Sequence, residues 1–328
     1  MRAWQYAAIT SGLEKSLKLN TTAAVPKPKP QQHLIKVDYV ALNPVDYKPA
    51  ETTLMRRFVI PNPATPGIDF AGTIAQPAQG SDLKVGDKVF GCGPSPFAGG
   101  MLAEYAVAGT DSTVRIPEGV NSLDASTIGV AGLTAYQSLV AHNPKRVLIN
   151  GGSGGTGVFG IQIAKAMGYY VVCTCSGRNV ELCKGLGADE VIDYTAGSVT
   201  EALKGKNFDH VVDNVMADLQ LFRRAHEYTS KGAKYIVVAG MPTLKFVGQN
   251  LEMKFWPALL GGGKRRSEGM FAQANVAELE RIAKWMSEGK VKAVIDQQFG
   301  FEDVSKAFEK LKTGRARGKI VVEVCAKA

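Results

Sequence analysis

Through the middle of the chain, short apolar runs alternate with segments of helical spacing, a rhythm that begins near Leu123. Val147-Leu148-Ile149-Asn150 predicts a strand, followed by glycine-rich sequence and a helix over Val158–Met167. Tyr170–Cys175 predicts the next strand, then come a helix over Val180–Leu186 and a strand over Glu190–Asp193. His210–Asp213 and Tyr235–Val238 predict two more strands, each after a helical or turn segment. Strands without alternation, separated by helices, predict a parallel sheet covered on both faces.

The first third follows another pattern. Leu34–Val40 reads as a strand, and Pro26, Pro28 and Pro30 exclude a helix before it. Glycine and proline punctuate residues 61–72 and 86–100, predicting turns between short strands such as Lys88–Phe90. An amphipathic helix over Glu278–Lys290, a strand over Val294–Phe299, a helix over Val304–Leu311 and a strand over Lys319–Val324 complete the chain. The expected class is α/β, a doubly wound parallel Rossmann sheet with a second, β-rich domain.

Composition narrows the function classes. With 328 residues, 45% hydrophobic and 21% charged, the chain suits two globular domains. No window approaches the ~18 uninterrupted apolar residues of a membrane helix, and the N-terminus reads as a strand instead of a signal peptide. A cytoplasmic protein with no membrane partner is expected. Cys92, Cys173, Cys175, Cys183 and Cys325 are too scattered for a disulfide framework and read as reduced core thiols. The net charge of +9 permits attraction to phosphates, yet only Lys264-Arg265-Arg266 clusters. Nucleic acid is not the expected partner, since a continuous basic stripe is missing.

Gly152-Ser153-Gly154-Gly155-Thr156-Gly157 satisfies G-x-G-x-x-G directly after one predicted strand and directly before a helix. Such a loop must turn tightly, admit a pyrophosphate to its backbone and let the helix pack closely, so Gly152 through Val158 are candidate cofactor ligands. An enzyme using NAD would place an acid ~20 residues on, to hold the ribose 2′-hydroxyl. That stretch, Thr174-Cys175-Ser176-Gly177-Arg178-Asn179, has no acid and offers Ser176 and Arg178. A hydroxyl and a guanidinium can hydrogen-bond a 2′-phosphate that a carboxylate would repel, so NADPH is the expected cofactor. Arg178 as a solvated turn residue is the alternative.

Several segments then form an ordered set: Asn43–Lys48, Pro66–Gly72, Val85–Val89, Gly99–Tyr105, Ala131–Ala135, the glycine loop, Leu186–Tyr194 and Gly318–Val322. Over essentially the whole chain this resembles the zinc-free quinone oxidoreductase branch of the medium-chain dehydrogenase/reductase superfamily. The nearest subtypes are chloroplast-envelope quinone oxidoreductase homologues and fungal trans-acting enoyl reductases. The resemblance implies a GroES-like substrate domain from residues 1–123 and 267–328, a Rossmann domain over 124–266 and an interdomain cleft. It also implies a homodimer whose edge would lie along Gln249–Gly262. Thr134 would sit by the nicotinamide carboxamide, Ser176, Arg178 and Tyr194 by the 2′-phosphate, and Asn214 with Ala239-Gly240-Met241 by ribose and nicotinamide. Many relatives carry a lysine where this chain has Asn179, so the phosphate grip falls on Arg178 and Lys184.

Zinc members of that superfamily need Cys and His-Glu ligands where this chain has Asn43 and Ile68-Asp69, and neither Asn43 nor Ile68 can act as a thiolate or imidazole. No metal is expected. Without a Lewis acid the substrate must already be electrophilic: an enone, enal or quinone. Tyr47 and Lys48 are the candidate proton donors, and Asn43 the group that would orient the carbonyl. Tyr47 as an aromatic wall and Lys48 as a solvent-facing cation are the alternatives. Two other readings stay open: an enoyl-thioester reductase using Lys264-Arg265-Arg266 on CoA or carrier-protein phosphates, and an NADPH-binding protein with little catalysis, as zeta-crystallins illustrate.

Overall fold

The computed structural model describes residues 1–9, 11–52, 60–93, 100–238 and 244–325, the side chains of 244–246 excepted. The chain forms two compact units, one from residues 1–133 with 273–328, the other from 134–272.

The first unit opens with a short antiparallel pair, β1 (Ala3–Gln5) and β2 (Lys18–Asn20). Its main sheet is built on β3 (Gln32–Leu42), whose burial alternates through Ile35 and Val37 and becomes continuous from Tyr39 to Leu42. β4 (Asp69–Gln76), β5 (Lys88–Cys92), β6 (Tyr105–Gly109) and β7 (Thr113–Arg115) follow as antiparallel neighbours. Gly72 and Gly91 mark close approaches there: a Cβ would lie 2.3 Å from the Lys36 carbonyl oxygen and 1.9 Å from that of Ser112.

The second unit is a six-stranded parallel sheet. Its strands are β8 (Arg146–Asn150), β9 (Tyr170–Cys175), β10 (Glu190–Asp193), β11 (Phe208–Asp213), β12 (Thr229–Val238) and β13 (Ser267–Met270). The spatial order β10-β9-β8-β11-β12-β13 reverses beside β8, the arrangement of a dinucleotide-binding fold with its crevice at the carboxyl ends of the central strands. Val147, Leu148, Val171, Val172, Val211 and Val212 are all buried, as a sheet covered on both faces requires. The expected return at residue 267 falls on the first residue of β13, which pairs with β12. Its sequence, Ser-Glu-Gly-Met, has no apolar run because the strand is half exposed at the sheet edge.

The chain then completes the first unit. A helix at Val276–Ser287 precedes β14 (Ile295–Gly300), a helix at Val304–Lys312 and β15 (Lys319–Glu323). β15 pairs antiparallel with β3, giving the order β14-β15-β3-β4-β5-β7, with β6 on β3. Val304, Ala307 and Phe308 bury one stripe of the second helix against Leu42, Phe70 and Ile320.

Candidate cofactor and substrate sites

The candidate cofactor site is built where β8 turns into the helix Gly155–Ala166. Gly151 takes a φ of +84°, a conformation that strains any residue with a side chain. A Cβ on Gly152 would lie 2.8 Å from that of Cys173, and one on Gly157 2.1 Å from the Gly151 carbonyl oxygen. Packing within the chain therefore demands both. Gly154 differs, because the nearest atom to a Cβ there is the Gly151 oxygen at 3.7 Å. Gly154 caps the helix with no side-chain hydrogen bond, so the free N–H groups and dipole of the helix are open to an anion. Ser153, Gly155 and Thr156 are half-buried along this turn, and Val158 is buried. The residues present fit a dinucleotide pyrophosphate.

Register brings Asn150, Thr174 and Asp213 side by side at the carboxyl ends of three strands. Thr174 Oγ1 donates to Asn150 Oδ1 at 2.6 Å and accepts from the Gly151 N–H at 3.0 Å, fixing the start of the glycine loop. Asn150 Nδ2 donates to Asp213 Oδ1 at 2.8 Å, which also accepts the N–H groups of Val215 and Met216. The Tyr235 hydroxyl donates to Asp213 Oδ2 at 2.9 Å. None of these four was singled out from the sequence as a site residue. The available signal was a polar residue at or next to the end of each apolar strand. Asn214 donates from Nδ2 to the Asn150 carbonyl at 3.2 Å, while its own Oδ1 is buried without a partner.

At the end of β9, Ser176 is half-buried and Arg178 exposed. Asn179 is 5% exposed, and its Nδ2 donates to Ser153 Oγ at 3.0 Å and Ser176 Oγ at 3.2 Å. An acid beside this turn comes from β10: Asp193 accepts from Thr195 N and Oγ1 at 2.8 and 2.6 Å, and a Cβ on Gly177 would lie 2.5 Å from its Oδ2. These hydrogen bonds hold the Asp193 carboxyl below its usual range. Tyr194 follows it, exposed. Lys184 is paired with Glu181 at 3.1 Å one helical turn away, so Arg178 is the better placed cation for an anion at this turn. Thr134 is buried in the helix Gly129–Val140. Ala239, Gly240 and Met241 lie outside the described residues.

The first unit holds a buried polar cluster. Lys319, 2% exposed at the start of β15, donates to Asn43 Oδ1 and, at 3.3 Å, to Asp69 Oδ2. Asp69 Oδ2 also accepts from Asn43 Nδ2 at 2.8 Å, and its Oδ1 accepts the Val130 N–H at 2.7 Å, capping the helix Gly129–Val140. Gly129 permits that approach, since a Cβ would lie 2.2 Å from Asp69 Oδ1. Asp46 Oδ2 accepts the Asn43 N–H at 2.6 Å, while Oδ1 has no partner. Burial pushes the Asp46 carboxyl up to about 8 and raises that of Asp69 against the pull of Lys319. Burial also holds Cys92, whose Sγ is 3.9 Å from Asp69 Oδ1, firmly as a thiol.

This corrects one expectation. The Asn43 amide is committed at both ends to Lys319, Asp69 and the Ala41 carbonyl, so it organises the cluster and has no free group to orient a substrate carbonyl. Nor does the cluster fit a zinc ion: the atoms at the ligand positions already surround a fixed ammonium, and Asn43 and Ile68 offer neither a thiolate nor an imidazole. Tyr47 and Lys48 leave this cluster in opposite electrostatic states. Burial raises the Tyr47 hydroxyl, aided by Glu51, and lowers the Lys48 ammonium. Lys312 Nζ stands 5.6 Å from the Tyr47 ring centroid and is paired with Glu14 and Glu51.

The description "Alcohol dehydrogenase GroES-like domain" matches residues 29–118, and "Zinc-binding dehydrogenase" matches residues 186–322. A trans-enoyl reductase, pgmF, of Aspergillus terreus is 44% identical, covering 99% of this chain and 96% of that protein. The chain belongs to the medium-chain dehydrogenase/reductase superfamily. Within it, the chloroplast envelope quinone oxidoreductase homolog of Arabidopsis thaliana is 33% identical, covering 98% of each chain. Among solved structures, the quinone oxidoreductase from Coxiella burnetii matches with a TM-score of 0.86 and 30% identity, covering 99% of each chain. These similarities fit the Rossmann-type and GroES-like architecture described above, and the chain is an oxidoreductase of this superfamily.

Proposed function

We propose that the chain is an NADPH-dependent, zinc-independent reductase acting on an activated C=C bond or a quinone. The observation that carries this is the pairing of an open Gly154 at a helix N-terminus with a β9 turn that presents Ser176 and Arg178 and no acid of its own. When bound, the reduced nicotinamide supplies the hydride. The chain holds the pyrophosphate at Gly154 through Val158 and the adenosine end at Ser176, Arg178 and Tyr194. Thr134, Asn214 and residues 239–241 would serve the ribose and nicotinamide. Lys48, whose ammonium gives up its proton more readily than an ordinary lysine, is the better donor for full proton transfer; Tyr47, which keeps its proton more tightly, suits hydrogen bonding to a developing enolate.

The test is cofactor oxidation, followed by nicotinamide absorbance, with NADPH and NADH in parallel against a benzoquinone, an alkyl vinyl ketone, an alkenal and crotonyl-CoA. Turnover with NADPH on the quinone, ketone or alkenal supports the reading. Near-full turnover by both Tyr47→Phe and Lys48→Ala at saturating NADPH would remove the proton-donor roles. The similarity to a trans-enoyl reductase favours an enoyl-thioester substrate as the second reading. Arg265 contributes little to it, because its guanidinium is tied to Thr229 Oγ1 and carbonyl at 3.0 and 2.9 Å; Lys264 and Arg266 are exposed. Preference for crotonyl-CoA would select that reading, and tight NADPH binding without turnover the binding-protein one.

The reading includes a homodimer and a cytoplasmic location. Leu251, Phe255, Trp256, Leu259 and Leu260 are exposed apolar residues beside an edge strand paired, among the described residues, only with β12. Sedimentation of Phe255→Glu/Leu259→Glu as a monomer, against a dimeric wild type, supports that interface. Among the described residues no helix is long and apolar enough to cross a membrane.

A further inference from the structure

We propose that Asn179 is a positioning residue that selects for the 2′-phosphate by turning the hydroxyl protons of Ser153 and Ser176 outward. This rests on the NADPH reading and deepens it. The amide lies between two loops that the sequence separates: Ser153 belongs to the turn after β8 and Ser176 to the turn after β9. One buried Nδ2 reaches both hydroxyl oxygens, at 3.0 and 3.2 Å.

Each serine hydroxyl has one proton to donate and lone pairs to accept. An amide N–H directed at the oxygen occupies a lone pair on the protein side and leaves the proton for another partner. A phosphate is acceptor-only, so two hydroxyls presented as donors suit it, and hydrogen bonds to an anion are the strong ones. Were the amide oxygen to face the serines instead, both protons would be consumed inward. The buried Oδ1 of Asn179 has no partner, a feature that a side chain placed only for stability would avoid. The neighbouring charges make the polarity matter. Asp193 contributes a carboxylate beside Gly177, engaged by Thr195, and Arg178 is the exposed cation of the same turn. Without donors from the serines, an anion here would rest on the exposed Arg178 and Tyr194.

Equilibrium titrations with NADPH, NADH and adenosine 2′-phosphate test this on wild type, Asn179→Asp, Asn179→Ala, Ser176→Ala and the Asn179→Ala/Ser176→Ala double variant. Melting curves without cofactor confirm folding. The carboxylate of Asn179→Asp draws both protons inward and adds negative charge, so NADPH and adenosine 2′-phosphate should weaken by ~30-fold or more while NADH changes by less than ~3-fold. Asn179→Ala should weaken NADPH by ~10-fold, and part of that loss should vanish in the Ser176→Ala background, because Ser176 is one of the two hydroxyls through which the amide acts. The alanine cycle gives the answer should the aspartate variant not fold. A wild type that binds NADH as tightly as NADPH would overturn the cofactor reading and this inference together. A wild type that prefers NADPH, with the preference intact in Asn179→Asp or with additive alanine losses, would overturn the role of Asn179 alone.

Discussion

The two units each bury a polar network at strand ends, and the networks differ in kind. In the first unit, Lys319 is enclosed by Asn43 and Asp69, with Asp46 one residue pair away. Lys319 pairs with the Asp69 carboxyl, while burial favours the protonated form of Asp46, whose Oδ1 has no partner. That network contains its own cation. In the second unit, Thr174, Asn150, Asp213 and Tyr235 form a network with no basic side chain among them, leading to a glycine loop whose Gly154 has room for a Cβ. The contrast teaches where each unit can take a ligand: a site that contains its own cation has no need of another, whereas an open helix terminus is finished by an anion.

The largest effect should come from opening the closed network. Lys319→Met leaves Asp69 buried without its ammonium and should cost ~3–5 kcal/mol of stability, measured by denaturant unfolding. Lys319→Met/Asp69→Asn should recover a large part of that; strictly additive losses would break the picture of a charge-compensated cluster.

The glycine loop gives the next contrast. Gly157→Ala forces a Cβ to 2.1 Å from a backbone oxygen and should cost ~1–3 kcal/mol. Gly154→Ala meets nothing closer than 3.7 Å, so unfolding should change by less than ~0.5 kcal/mol, while NADPH affinity falls by ~10-fold or more. Equal effects on folding and binding at both positions would show that Gly154 is not kept bare for a ligand.

Protonation sharpens the comparison further. Burial pushes the Asp46 carboxyl up to about 8, far above the ordinary carboxylate range. Its contribution to stability is therefore full at low pH and is lost as pH rises through that window, with a slope of up to ~1.4 kcal/mol per pH unit. Asp46→Asn should flatten the fall in unfolding free energy across the window; an unchanged slope would assign the proton elsewhere. The smallest effect concerns Lys48. Its lowered pKa places the alkaline limb of turnover below that of an ordinary lysine, and Lys48→Arg should move the limb upward in a pH–rate profile.

Much of the second unit was legible in advance because a strand buried on both faces must be apolar throughout. Tyr170–Cys175 and Glu190–Asp193 coincide with β9 and β10. β13 escaped because an edge strand half in solvent carries no such signature. The helix Leu244–Phe255 was not expected either, since Leu251 and Phe255 face outward and interrupt the apolar stripe. The glycine loop could be placed by its spacing, but not which of its glycines serves the ligand.

The sequence by itself determined the alternation of apolar strands and helices, the glycine-rich loop between β8 and its helix, and the missing acid after β9. These depend on residues close together in the chain, where period and spacing are direct physical constraints. The tertiary structure decided that Lys319 lies against Asn43 and Asp69, 276 and 250 residues away. It also decided that one amide at Asn179 joins two loops. Sheet register and burial create those encounters, and whether a polar group faces solvent, a partner or nothing depends on surroundings that no local pattern contains.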